Sequence, residues 1–182
     1  MSLIVPVKSI YHLYNQGNRK QKIFYDAMDY YYFLKLFRKY VHPYCDLFAW
    51  CLMPKHFHFM FLFKSPGDEI IKVGSLEMTR FANGMRLLQS HYAQYFNRKY
   101  LTSGNLFRQK AKIKSCAELQ SDYRITLFNY IHFNPVTDGL VKHCGQWQFS
   151  SYNDYYHDRG GTLVSKELTA YYLGLEVDTN GF

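Results

Sequence analysis

A chain of 182 residues fits one domain, long enough to bury roughly 70% of its unfolded surface. Its net charge of +8 points to a polyanionic partner, and its 18 Tyr and 15 Phe supply both a dense core and rings able to stack on bases. No apolar run nears the roughly 20 residues of a membrane span, the first six residues lack a signal-peptide layout, and four cysteines without a Cys-x-x-Cys pair argue against a zinc knuckle or a disulfide framework, so a reducing cytoplasm is the expected home.

Residues 8–14 alternate as a first strand, ended by the turn cluster Asn15-Gln16-Gly17-Asn18. Over 29–40, Phe33, Leu36, Phe37 and Tyr40 recur at helical spacing. Residues 46–53 and 56–64 read as an antiparallel hairpin around Pro54, and Ser65-Pro66-Gly67-Asp68 then breaks the chain. Ser75 is the expected cap of a long helix to about residue 96, with Met78, Phe81, Met85, Leu88, Tyr92 and Tyr95 stepping by three and four around an Asn83-Gly84 interruption. Ser103-Gly104-Asn105 turns the chain into a basic strand over 106–114. A last helix over 117–133 is expected to stop at Asn134-Pro135, because the residue before proline disfavours the αR conformation. Strand, helix, two strands, helix, strand, helix makes an α+β sandwich. Residues 1–152 form the expected domain, and 153–182, where acidic residues prevail, a short extension packing on it.

The hairpin carries the most informative residues. In a strand, side chains two apart share a face, so His56 and His58 point the same way while Phe57, Phe59, Phe61 and Phe63 go to the buried side. Two imidazoles this close suit one metal ion, and a pair of partly buried histidines bonded to neighbours remains the alternative. Other His-x-His sites fit poorly. A histidine-triad hydrolase wants a histidine where this chain has Met60, a cupin wants a glutamate that residues 59–63 lack, and an amidohydrolase barrel needs roughly 250 residues.

Six basic residues (Arg98, Lys99, Arg108, Lys110, Lys112, Lys114) lie between 98 and 114 without an acid, and Lys8, Arg19, Lys20 and Lys22 form a second run. Their interleaving with Tyr11, Tyr14, Tyr100 and Phe107 favours single-stranded nucleic acid over a merely solvated face. On the last helix, Tyr130 and Asn134 are four residues apart and share a face, with His132 on another, structural one. A tyrosine with a pKa near 10 needs a metal-polarised phosphate and nearby cations to act as a nucleophile.

Met53-Pro54-Lys55-His56-Phe57-His58 resembles the His-hydrophobic-His motif of the HUH single-strand endonucleases, and the chain is more specifically similar to the REP-associated tyrosine transposases and their single-tyrosine relatives. Four blocks carry the resemblance in order: 11–24 around Gly17-Asn18-Arg19, 50–60, 104–114, and 130–152 with Asn134-Pro135-Val136, Gly139-Leu140-Val141 and Trp147-Gln148-Phe149-Ser150-Ser151-Tyr152. The family often has arginine at the place of Gln16 and asparagine at that of Lys55.

The resemblance implies a ferredoxin-like antiparallel sheet with the histidines on its central strand and helices mainly on one face. It implies Tyr130 as nucleophile, a divalent metal (Mg²⁺ or Mn²⁺) held by His56, His58 and Asn134, and single-stranded or hairpin DNA as substrate. Cleavage would leave a 5′-phosphotyrosine and a free 3′-OH. Arg108, Lys110, Lys112 and Lys114 would hold the DNA backbone, and Arg19 would lie by the stem or guide. The protein would act as monomer or homodimer, away from membranes. A catalytically idle single-strand binder and a water-using metal phosphodiesterase are the alternatives.

Overall fold

Strand β3 (His56–Phe63) is buried along nearly its whole length, as a strand apolar on both faces must be, and it pairs antiparallel with a strand on either side. The computed structural model that shows this describes residues 9–108, 110–116, 121–157 and 159–175. Around β3, the sheet runs β2 (Cys45–Met53), β3, β1 (Ile10–Gln16), β6 (Lys112–Ser115), with every pairing antiparallel. Helix α1 (Ala27–Tyr40) links β1 to β2, and α2 (Arg80–Tyr100) stands between β3 and β6, so the order and topology are those of the expected ferredoxin-like α+β sandwich.

The two long helices cover one face of the sheet. Phe57, Phe59 and Phe61 meet Phe33, Phe37 and Phe81, with ring centroids 5.1, 4.4 and 4.4 Å apart. Burying each such ring contributes about 1.5–3 kcal/mol. Buried Asp29 ties the helices together: it closes a capping box with Asp26 at the start of α1, accepts from Lys99 Nζ at 2.7 Å, and accepts from the Tyr100 hydroxyl at 2.7 Å. On the opposite face, Ile10, Met60 and Leu62 meet Leu127, Phe128 and Ile131 of α3 (Ser121–Thr137), Tyr155 of α4 (Tyr152–Tyr156) and Leu173 of α5 (Lys166–Leu173). In β2, Leu47 pairs with Phe61 and Ala49 with Met60, so Phe48 is an extra residue. This bulge resets the alternation and sends Phe48 and Ala49 to the α3 face together.

Four expectations need correction. Strand β1 runs on through Asn15 and Gln16, two residues of the expected turn cluster. The helix expected from Ser75 starts at Arg80, capped by Thr79, whose Oγ1 accepts from the amide of Ala82. Before it, β4 (Ile70–Val73) and β5 (Leu76–Thr79) form a small hairpin. The basic strand expected over 106–114 pairs with β1 only from Lys112 onward, with one isolated bridge from Phe107 to Gly17. Between the two the register slips: the amides of Asn18 and Arg108 bond to the carbonyls of Leu106 and Gln16 to close the Phe107–Gly17 bridge, whereas Lys112 opposes Tyr14, so the residues between are out of step with β1. The last helix runs through Asn134-Pro135 to Thr137, and the part expected over 117–120 lies outside the described residues. Only one turn follows the proline, so little is lost beyond a single backbone bond. That turn ends at Gly139, where φ is +69°: Leu140 N bonds to Pro135 O and Gly139 N to Val136 O, the Schellman arrangement.

Asn83-Gly84 does not break α2, since the glycine is what lets α2 pass the end of α1. A Cβ on Gly84 would lie inside contact range of the Tyr40 carbonyl oxygen. Gly84→Ala should therefore destabilise the fold by about 2 kcal/mol in urea denaturation, overpacking outweighing the roughly 1 kcal/mol an alanine normally adds to a helix. A variant as stable as the parent would show that the two helices slide apart freely. Among the described residues, no helix is long and apolar enough to cross a membrane.

Candidate active site

Period-two alternation places His56 and His58 on the α3 face of β3, at the end of the sheet that α3's apolar residues do not cover. Helix α3 brings up the second half of the site. His56 Nε2 lies 3.2 Å from Asn134 Oδ1, joining residues 78 apart in sequence. The Asn134 amide is oriented by its own helix, because its Nδ2 donates to the Tyr130 carbonyl at 3.0 Å and thereby turns its oxygen toward the histidine. Tyr130 sits one turn before Asn134 with its ring edge-on to His58, centroids 5.5 Å apart, and it is 49% exposed. A nucleophile must be reachable by a bulky substrate, and this tyrosine is.

Helix α3 is held to the sheet beside these residues. Buried His132 places Nε2 2.7 Å from Ser151 Oγ, which in turn accepts from the Trp50 amide on β2 at 2.9 Å. Burial holds the His132 imidazole down at about 3, so it is a neutral structural strut, as its position on another helix face implied.

A residue the sequence reading passed over completes the cluster. His12, on β1, places Nε2 2.9 Å from His58 Nδ1. It faces Met60 across the ladder, with Tyr14 facing His58, so the histidines meet diagonally. Burial, with a smaller push from the Lys114 ammonium, lowers His12 to about 4. Burial first, then the neighbouring His56 and His12, lowers His58 to about 2. Both rings are therefore neutral at pH 7, the protonation state in which an imidazole can ligate a cation. The signal for His12 was a histidine two residues from Tyr14 in a strand, which carries meaning only once the partner strand is known.

The cations surround two adjoining cavities. One of about 290 Å³ is lined by Tyr14, Asn15, Gln16, His56, His58, Arg108, Lys110, Lys112 and Tyr130. The other, about 420 Å³, adjoins it across Tyr14, His58 and Tyr130 and includes His12 and Lys114. Lys112 and Lys114 share the histidine face because they oppose Tyr14 and His12 across the β1–β6 ladder. Arg108 and Lys110 reach the first cavity from the irregular segment. Lys112 Nζ stands 5.9 Å from the centre of the Tyr14 ring, a cation over an aromatic face. Arg19 is not brought into this group. It sits exposed in the turn after β1, at φ +52°, and lines neither cavity.

Among the described residues, no three His, Cys, Asp or Glu side chains are placed to hold a metal ion, so the donors on offer are two imidazoles and one amide oxygen. That set fits a divalent cation. His58 Nε2 is buried without a hydrogen-bond partner among the described residues, while Asn134 Oδ1 is turned to His56. Mixed nitrogen and oxygen donors suit Mn²⁺ somewhat better than an all-oxygen set would.

No protein-family model matches the sequence, and no curated protein matches it. A solved structure of a REP-associated tyrosine transposase bound to a REP hairpin is similar over 100% of this chain and 98% of that one, with a TM-score of 0.58 and 18% identity. At that identity the likeness is one of fold alone.

Proposed function

We propose that this protein is a metal-dependent single-strand DNA endonuclease and strand transferase that works through Tyr130. The observation carrying the proposal is the convergence of Tyr130, Asn134, His56 and His58 beside one cavity with three cations in its lining. The fold shared with a hairpin-bound tyrosine transposase supports the same reading.

His56, His58 and Asn134 would hold a Mg²⁺ or Mn²⁺ ion, which supplies Lewis-acid polarisation of a non-bridging phosphate oxygen when bound. Arg108, Lys110, Lys112 and Lys114 neutralise the DNA backbone and position the scissile phosphate, with Arg19 farther out toward the duplex stem. Tyr130 Oη attacks phosphorus in line. The new P–O bond to the tyrosine forms as the bond to the 3′ oxygen breaks, the phenol proton is released, and the leaving oxygen takes up a proton as a free 3′-OH. The enzyme keeps a 5′-phosphotyrosine. Attack by the same or another 3′-OH reverses the step, so rejoining needs no nucleotide cofactor.

Incubation with labelled single-stranded hairpins and Mn²⁺, followed by a denaturing gel, tests the proposal. A denaturant-resistant protein–DNA species supports it. Cleavage without that species would mean a water-using phosphodiesterase, and binding without cleavage an idle single-strand binder.

The cations have their own test. For single strands, each phosphate contact contributes about −0.7 to the slope of log affinity against log salt. Lys110→Ala combined with Lys112→Ala should flatten the plot by roughly one unit, with a similar affinity loss for unrelated sequences, because phosphate contacts position a strand without reading it. An unchanged slope would make this face merely solvated and move the DNA path toward Arg19, Lys20 and Lys22.

A further inference from the structure

The buried pair of His12 and His58 shares a proton in a way that bears on the site. In the uncharged pair, whose facing nitrogens lie 2.9 Å apart, one hydrogen sits between them. Two arrangements are open. With the hydrogen on His12 Nε2, the His58 Nδ1 accepts and His58 Nε2 must carry a hydrogen of its own. That N–H would be buried with no acceptor among the described residues, because His58 Nε2 has no partner. With the hydrogen on His58 Nδ1, the His12 Nε2 accepts, and His58 Nε2 carries only a lone pair. The other hydrogen then rests on His12 Nδ1, which is not among the buried polar atoms left without a partner. The second arrangement leaves no fully buried N–H of the pair without a partner among the described residues, and unpaired buried donors are the costlier defect.

We infer that His12 is a positioning residue: by accepting from His58 Nδ1–H it fixes the tautomer of His58 and leaves the Nε2 lone pair free as a donor for a divalent cation. The ring is held in place as well as in tautomer. Tyr14 lies against both imidazoles, 4.9 Å from His12 and 5.8 Å from His58, and Tyr130 stands edge-on to each. Groups that ligand histidines lean on through their second nitrogen are usually carboxylates or carbonyls. In this protein a neutral imidazole on the neighbouring strand takes that place, which adds no charge beside the site. The inference rests on the metal reading proposed above.

Long-range ¹H–¹⁵N spectroscopy of the metal-free protein, labelled at histidine, reads the tautomer without any activity. His58 should show a protonated Nδ1 and a bare Nε2. The reverse pattern overturns the inference. Calorimetry with Mn²⁺ reads its consequence: His12→Leu, which cannot accept, should weaken binding about 10- to 100-fold. His12→Gln, whose amide oxygen can accept from Nδ1–H, should stay within a few-fold of the parent. Equal affinities in all three proteins, or an equal loss in both variants, would reduce His12 to packing. If the unmodified protein bound no Mn²⁺, the metal reading itself would fall, a result seen before any variant is made.

Discussion

Tyr130→Phe should abolish covalent capture of a single-stranded hairpin while leaving DNA binding nearly unchanged. The substitution removes one hydroxyl and keeps the ring, so the edge-on contact with His58 survives. Because Tyr130 is half exposed, stability should move by no more than about 0.5 kcal/mol, and an inactive variant cannot be dismissed as unfolded. The expected loss in adduct formation is roughly 10⁴-fold or more, the scale on which enzymes lose rate with their nucleophile. A persistent adduct in the Phe variant would sink the assignment. Tyr14, which lines both cavities and stacks on His58, would then be the first tyrosine to test.

The second large effect concerns the metal. His56→Ala and His58→Ala should each remove cleavage and weaken Mn²⁺ binding by more than the roughly 10–100-fold expected when only a supporting residue is lost, because Asn134 with one imidazole is too few donors. The two variants differ in a useful way. His58 is buried and bonded to His12, so its loss also leaves a void and strands His12 Nε2. His56 is only partly buried, so its variant reports on metal with less disturbance of the fold. Unchanged Mn²⁺ affinity in both, by calorimetry, would return the histidines to the role of a structural pair.

Much of this architecture was legible before any coordinates. Period-two alternation separated His56 and His58 from the phenylalanines of β3, and that division holds residue by residue. The four-residue spacing of Tyr130 and Asn134 likewise survives, with the amide bonded back to the tyrosine carbonyl. Local signals failed where two patterns competed for the same residues. Met78, Phe81 and Met85 step like a helix, and that spacing masked Ile71, Val73, Leu76 and Met78, which alternate around Gly74-Ser75 as a hairpin. Pro135 signalled a helix stop, but its cost is small within one turn of a capped end. Alternation of Arg108, Lys110, Lys112 and Lys114 suggested one ladder, although only the last two are in it. The contribution of His12 was illegible for a deeper reason. It depends on which residue of β3 lies diagonal to it, and pairing between strands 46 residues apart is a tertiary fact.

Strand β6 has a bearing on solution behaviour as well as on DNA. It is the sheet's last strand, four residues long, with its outer edge unpaired by another strand among the described residues and Ile113 48% exposed. An open antiparallel edge with an exposed isoleucine is a template for another copy to extend the sheet, the first step toward aggregation. Brevity and the flanking Lys112 and Lys114 oppose that step, since a second copy docking there would bring like charges together. Repulsion of this kind acts over a Debye length, about 8 Å at physiological salt, and weakens as salt rises. The same lysines thus oppose self-association at this edge, and removing them should raise the tendency of copies to pair there.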